Sequence, residues 1–315
     1  MLKNSRIAVL GFGAQGKAEC KNLSRSNIDF VVGVRPDGAS AERARAEGYR
    51  VVSMREAVEW ADSIALNLPD HIQASIYKEC IEPASHIRRI VFAHGFNTHF
   101  KLIPVQNAHH LLVAPKGAAS GLVEYYKTPQ ALPAILGIQS KESAEKVLEE
   151  EKKWAEAYAL AIGCHPKGLI WATFADETEC DLFSEQAFLC GGVPELLKQA
   201  YEVMVEAGYN PETAYFESLF ELKLIVDLIW REGISGMQSR ISPTARYGGL
   251  TRGPRVINAA TKDRLREALK EIQTGAFSKE FLAEVNSNRF KELENRERLH
   301  PIEQIGKILR ERLRN

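Results

Sequence analysis

The sequence has no excess charge of either sign: 41 Lys and Arg cancel 41 Asp and Glu over 315 residues. Without a net field there is little to hold a polyanion, which argues against nucleic acid or an anionic membrane as the main partner and toward a small ligand. Long hydrophobic runs are missing too. No window approaches the roughly 18 uncharged apolar residues of a membrane helix. Cysteine is scarce, and Cys20, Cys80, Cys164, Cys180 and Cys190 are odd in number, widely spaced and form no CxxC pair. That excludes a disulfide framework and predicts reduced, mostly buried thiols. Lys3 and Arg6 before the run IAVLGFGA imitate a short signal peptide, but Lys17 interrupts the apolar stretch and no cleavage site follows, so the expected location is cytoplasmic. Fixed-period repeats and low-complexity tracts are absent.

What is present is an ordinary globular composition, 45% apolar and 26% charged. At roughly 100 to 200 residues per domain, the length suggests two domains. The boundary is expected after residue 173. Up to about there, short apolar runs recur at 7–10, 30–34, 49–52, 63–68, 89–93, 111–114 and 134–138, with helical stretches such as AERARAEG and REAVEWA between them. This rhythm predicts an α/β domain with a parallel sheet wrapped by helices. Beyond it, residues 174–315 read as all-α, with helical patterns at 176–190, 193–207, 212–232, 261–274 and 302–313. The segment FESLFELKLIVDLIW is apolar nearly all round, which fits a helix buried in a bundle or an oligomer interface. The charged stretch 286–299 reads as a solvated connection.

The loop GFGAQG, residues 11–16, directly follows the strand IAVL and precedes a helical stretch. In that context Gly11 permits the tight turn, Gly13 lets the backbone approach a pyrophosphate, and Gly16 allows close packing of helix on strand. The pyrophosphate would lie at the positive end of the helix. On this loop alone FAD and S-adenosylmethionine remain possible occupants beside a nicotinamide dinucleotide, as does a glycine turn with no ligand. The second-strand loop, GVRPDGAS, divides the vote on the adenosine ribose: Arg35 and Ser40 suit a 2′-phosphate, whereas Asp37 would repel one. A solvent-exposed turn accounts equally well for Asp37.

Glu177, Asp181 and Glu185 recur at four-residue intervals, and so do Glu217 and Glu221. Like charges at that spacing destabilise an isolated helix by roughly 0.2 to 0.5 kcal/mol per pair. A divalent hard cation such as Mg2+ would compensate. Solvated helix faces account well for Glu177 and Glu179, but poorly for Glu217 and Glu221, which sit among Phe216, Leu219, Phe220, Leu222 and Leu224.

GFGAQGKA, LPDHIQ, FAHGFN, APKG, TFADETECDLFSEQAFLCGG, AGYNPETAYFESLFELKLIVDLI, SPTARYGGLTRGPRVIN and HPIEQIGKILR follow one another in this order. Over almost its whole length the chain resembles ketol-acid reductoisomerases of the short, class I type. The resemblance implies a Rossmann domain at 1–173, a helical, interlocking (knotted) domain at 174–315, a homodimer or higher homo-oligomer with shared active sites, NADPH (or NADH), and two Mg2+. Asp181 then resembles the bridging metal ligand and Glu185 the second ligand on its helix. Glu217 and Glu221 resemble the pair from the partner subunit, Glu221 also facing substrate and its protons. Ser242 resembles the contact to the substrate carboxylate, His94 the active-site histidine, and Lys116 a basic residue near metal-bound water. Phe12, Ala14, Gln15, Asp70, Gln73 and Ala119 match cofactor-contacting positions. The implied reaction is alkyl migration followed by reduction of 2-acetolactate or 2-aceto-2-hydroxybutyrate.

Several positions depart from the family pattern. Ala118, Ala119 and Ser120 stand where the family has proline, glycine and histidine, and Glu124 or a neighbour where it has arginine. Gly38 stands where it has the first of two serines, Asp37 is added, and Pro243 and Gly249 replace an asparagine and an aspartate. These leave room for a paralogous NAD(P)-dependent 2-oxo or hydroxy acid reductase, or for a non-catalytic dinucleotide sensor.

Overall fold

In a computed structural model describing residues 2–314, the chain divides into two compact units, Met1–Cys180 and Asp181–Asn315. The first unit is built on eight strands: β1 Ile7–Leu10, β2 Phe30–Gly33, β3 Val51–Val52, β4 Ser63–Leu66, β5 Arg89–Phe92, β6 His109–Pro115, β7 Ala134–Gln139 and β8 Leu169–Trp171. They form one sheet in the order β3-β2-β1-β4-β5-β6-β7-β8. Its helices are α1 Ala14–Arg25, α2 Ala39–Ala46, α3 Met54–Trp60, α4 Asp70–Ile76, the short α5 Phe96–His99 and α6 Ala119–Glu124, and α7 Glu145–Ala161. Then α8, Phe174–Phe183, carries the chain into the second unit.

All seven expected runs become strands, with two corrections to the sheet. β7 pairs antiparallel with β6, so the sheet is mixed, and β8 adds an eighth strand parallel to β7. Side chains alternate across the sheet: Ile7 and Val9 join one apolar cluster, Ala8 and Leu10 the other. Both faces are buried because helices cover both, which is why these strands read as continuous apolar runs.

The second unit is helical, as expected. α8 continues through a π-helical turn, Ser184–Leu189, into α9, Gly192–Glu206. α10, Pro211–Tyr215, passes through another π turn, Phe216–Phe220, into α11, Glu221–Arg240. Within α11, Gly233 adopts φ 75° and ψ 171°, open to glycine and strained for other residues, and kinks the helix. α12 Pro243–Val256, α13 Ala259–Gln273, α14 Ala276–Glu284, α15 Asn288–Arg298 and α16 Pro301–Arg314 complete the unit. α15 corrects the expected solvated connection: Ser287 caps it by accepting from the Phe290 amide at 3.1 Å, and it carries its charges on an exposed helix. The apolar segment at 216–230 is not buried within its own chain, since Phe220, Leu224, Val226 and Trp230 are exposed, Trp230 at 87%. Cys20, Cys80 and Cys164 are buried and Cys180 and Cys190 exposed, all as free thiols. No helix among the described residues is long and apolar enough to cross a membrane.

One buried ion pair ties β5 to α7: Arg89 donates through Nε and Nη2 to the Glu151 carboxylate, the second bond at 2.7 Å, with the guanidinium 5.0 Å from the Trp154 ring centroid. Breaking such a pair strands a buried charge. We expect Glu151→Leu alone to destabilise the first unit by about 3 kcal/mol and Arg89→Met/Glu151→Leu to recover most of that loss, measured by urea unfolding followed by far-UV circular dichroism and tryptophan fluorescence.

Candidate active site

The sheet order reverses direction between β1 and β4, since the chain winds outward from β1 through β2 and β3, then returns to the other side of β1. Loops leaving β1 and β4 therefore diverge and leave a crevice at the carboxyl ends of the strands. A cleft of about 380 Å³ opens here, lined by Gly11, Phe12 and Gly13 after β1, by Arg35, Gly38 and Ser40 after β2, and by Asn67 and Leu68 after β4. Gly11 has φ 102°, and a Cβ there would overlap the Asn67 carbonyl. At Gly13 a Cβ would meet nothing, so this backbone is open to close approach, whereas Gly16 packs on the Gly11 carbonyl. Phe12 is buried, its ring edge-on to Tyr49 with centroids 5.9 Å apart.

Other expected cofactor positions fall differently. Ala14 is exposed in the first turn of α1 and does not line the cleft. Gln15 turns back along its helix, its Nε2 donating to Glu19 at 2.9 Å. Ser40 lines the cleft and accepts from Arg43 Nη2 at 2.9 Å, while Arg45 donates to the Pro36 carbonyl at 3.2 Å. Asp37 is exposed and outside the cleft lining. Gln73 is buried, donating to the Leu68 carbonyl at 2.7 Å and to Asp70 at 3.2 Å, and accepting from Asn97 at 3.0 Å. Burial pushes the Asp70 carboxyl up, against the pull of His94 and Asn97. Ala119 is half-buried at the start of α6, with Ala118 as its cap and Ser120 and Glu124 exposed.

A second polar cluster is drawn together by the ends of β5 and β6 and by α8. Thr173 and Asp176 start α8 reciprocally: the Thr173 amide donates to Asp176 Oδ2 at 3.1 Å, and the Asp176 amide to Thr173 Oγ1 at 3.0 Å. One turn later Glu177 enters the protein and is only 1% exposed. Its carboxylate accepts from Lys116 Nζ at 2.8 Å and from the Gly95 amide at 3.0 Å, with His94 Nδ1 within 3.3 Å. Burial alone would raise its pKa. The hydrogen bond and charge of His94 and those of Lys116 outweigh burial and hold the carboxyl below its ordinary value. Thr178 packs its Oγ1 where a Cβ on Gly95 would lie, so glycine is required there. The expected solvated face at Glu177 is thus corrected. Sequence reasoning missed that it organises His94 and Lys116, both expected site residues.

The reverse correction applies to the second unit. Glu217, in the π turn, and Glu221, at the start of α11, are exposed despite apolar neighbours in sequence. Asp181 is half-buried one turn beyond Glu177 on α8, and Glu185 is exposed in the following π turn. Among the described residues, Glu185, Glu217 and Glu221 join no group of three metal-type side chains. Ser242 caps α12, its Oγ accepting from the Ala245 amide at 3.1 Å, and Pro243 occupies the first helical position, where its missing N–H costs nothing. Glu19 and Asn67 were also missed. Glu19 shares one face of α1 with Gly16, Cys20 and Leu23, and that periodicity was the available signal.

Residues 1–168 match the family model for the acetohydroxy acid isomeroreductase NADPH-binding domain, and residues 174–315 that for the ketol-acid reductoisomerase C-terminal domain. A ketol-acid reductoisomerase (NADP(+)) of Methanocaldococcus jannaschii is 42% identical over 98% of this chain and 93% of that protein. The structure of an NADH-preferring ketol-acid reductoisomerase from an uncultured archean superposes with a TM-score of 0.90 at 34% identity, covering 98% of this chain and 95% of that one. A semialdehyde dehydrogenase NAD-binding protein from Cupriavidus necator shares the fold alone, with a TM-score of 0.63 at 18% identity over 86% of this chain and 99% of that one. With both halves matched, and matched in order, the chain belongs to the ketol-acid reductoisomerase family.

Proposed function

We propose that the chain converts 2-acetolactate or 2-aceto-2-hydroxybutyrate to the corresponding 2,3-dihydroxy acid by alkyl migration and reduction, in branched-chain amino acid biosynthesis, using NADPH and two Mg2+. The observation that carries this reading is the convergence of Lys116, His94 and the Gly95 amide on buried Glu177, one helical turn before Asp181. The cleft fits a dinucleotide, with open backbone at Gly13 leading into the uncapped N-terminus of α1. The acids fit a hard cation, since Asp181, Glu185, Glu217 and Glu221 offer only carboxylate oxygens, none of them fully buried. When bound, the cations supply charge stabilisation at substrate oxygens and the nicotinamide supplies hydride.

The chain's own residues bind, orient and handle protons. Glu177 fixes the Lys116 ammonium and the His94 ring, so their charge and hydrogen bonds stand ready before substrate arrives. Ser242, at the N-terminus of α12, suits the substrate carboxylate. Glu221, exposed and acidic, exchanges protons with substrate. Asp181 and Glu185 hold metal on one subunit, Glu217 and Glu221 on the other. The exposed apolar face of α11 supports a homodimer with shared sites, and residues 1–173 and 174–315 serve as cofactor and metal-substrate domains. NADPH is preferred over NADH, because Ser40 and Arg35 line the cleft whereas Asp37 does not. The intact polar set disfavours a silent dinucleotide sensor.

Three outcomes test this reading. Purified protein should oxidise NADPH with 2-acetolactate in the presence of Mg2+ and stop on chelation; turnover that survives chelation would overturn the metal assignment. Asp37→Ser should leave the NADPH to NADH preference within about twofold, while Ser40→Asp, placing an anion against the 2′-phosphate, should shift it toward NADH by about tenfold or more, read as the ratio of kcat/KM values. Glu177→Gln should lower kcat about 10- to 100-fold with the KM for NADPH little changed. Because the Glu177 pKa is depressed in the fold, its stabilising contribution is complete above the ordinary 4.5 and is lost as pH falls through the folded value. The variant should therefore flatten the acid limb of the stability profile measured by thermal unfolding.

A further inference from the structure

Behind the glycine loop lies a buried carboxylate that the reaction does not use. Glu19, in α1, is 2% exposed. It accepts from Gln15 Nε2 at 2.9 Å on Oε1, and from Asn67 Nδ2 and the Tyr158 hydroxyl, each at 2.7 Å, on Oε2. All three donors are neutral. They come from three places: the first turn of α1, the end of β4, and α7, where Tyr158 is stacked on Trp154 at a 5.3 Å centroid distance. Burial raises the Glu19 pKa and the three hydrogen bonds oppose that rise.

A carboxylate offers about four lone-pair sites and, when ionised, no hydrogen, so it can serve three converging donors at once. The partner that matters for the cleft is Asn67. Its backbone amide donates to the Leu10 carbonyl at 2.8 Å, its carbonyl packs on Gly11, and the residue lines the cleft. An amide side chain has two faces of opposite polarity, and turning it exchanges a donor for an acceptor. With one Nδ2 hydrogen held by Glu19, the amide is fixed in one of its two orientations, and Oδ1 is the acceptor it leaves to a ligand. A dinucleotide's phosphates present acceptors only, so an acceptor at this position suits a ribose hydroxyl.

We propose that Glu19 is a positioning residue for the dinucleotide: by taking Nδ2 of Asn67, it fixes that amide so that Oδ1 accepts from a ribose hydroxyl of the bound cofactor. This rests on the reading of the cleft as the NADP(H) site. Glu19 touches no ligand itself and acts through Asn67. Gln15, on Oε1, and Tyr158, on the same Oε2 as Asn67, hold the carboxylate in place.

The test is a double-mutant cycle on the dissociation constant of NADPH, measured by fluorescence titration of the full-length protein. Glu19→Met and Asn67→Ala should each weaken binding about three- to tenfold, and the double variant no more than either alone. Glu19→Gln should stay within about twofold of wild type, because the Gln15 amide can turn to accept from the introduced amide while its oxygen still receives Asn67. Multiplicative losses in the double variant would overturn the proposal, as would a folded Glu19→Met protein of wild-type affinity. Should Glu19→Met fail to fold, NADPH analogues lacking one ribose hydroxyl decide the matter. The analogue that binds wild type more weakly should lose nothing further in Asn67→Ala, and equal losses in both proteins would overturn the proposal. If wild type binds no dinucleotide at all, the cofactor reading fails and this proposal falls with it.

Discussion

The first unit depends on one topological constraint: β1 is flanked by β2 on one side and β4 on the other, with connections leaving in opposite directions. Parallel strands joined by right-handed crossovers must then part at their carboxyl ends. Every cleft-lining group follows from that parting. Gly11 turns at φ 102° because the β4 end lies against it, and Asn67 reaches the cleft for the same reason. The helices that make the crossovers bury both faces of the sheet, so the scaffold beneath the loops is rigid while the loops are free to carry chemistry.

Electrostatics in the two units follow opposite strategies. Glu177 is buried and fully engaged by Lys116, His94 and the Gly95 amide, so its charge is fixed in position and shielded from water. Such pairing offsets the cost of burying a carboxylate, and the same pairing holds its partners still. Glu217 and Glu221 remain exposed within the chain. Exposed acids have low desolvation cost and can exchange partners, which suits metal and substrate ligands better than it suits structural pairs. Glu19 is a third case, buried and hydrogen-bonded by neutral groups alone.

How much of this was legible in the sequence follows from what each pattern encodes. Strands β1, β2 and β4 to β7 were readable because burial in the sheet makes apolar runs, while Leu169–Trp171, partly buried at the sheet edge, is an apolar run of three residues, too short to stand out. The antiparallel pairing of β7 was not readable, since strand direction leaves no trace in a two-sided apolar pattern. α15 was misread because charge composition outweighed its Ser287 cap. The family motifs placed the candidate residues in order, but burial of the acids was inferred from sequence neighbours. On a helix those neighbours point elsewhere, which is why Glu177 and the Glu217–Glu221 pair came out reversed.

The buried and the exposed acids also differ in what holds them. Lys116, His94 and Glu177 lie on strand ends and on the buried side of α8, where packing and hydrogen bonds fix a side chain without help from a ligand. Glu217 and Glu221 lie on the π turn and at the start of α11, where they are exposed and the helix also leaves apolar side chains as far as Trp230 in water. An isolated chain gains nothing from leaving Phe220, Leu224, Val226 and Trp230 in water, because each carries apolar area worth roughly 25 cal/mol per Å² once covered. Covering that face would remove water from around Glu217 and Glu221 in the same step. Their mutual repulsion would then rise, because like charges interact more strongly where water is excluded.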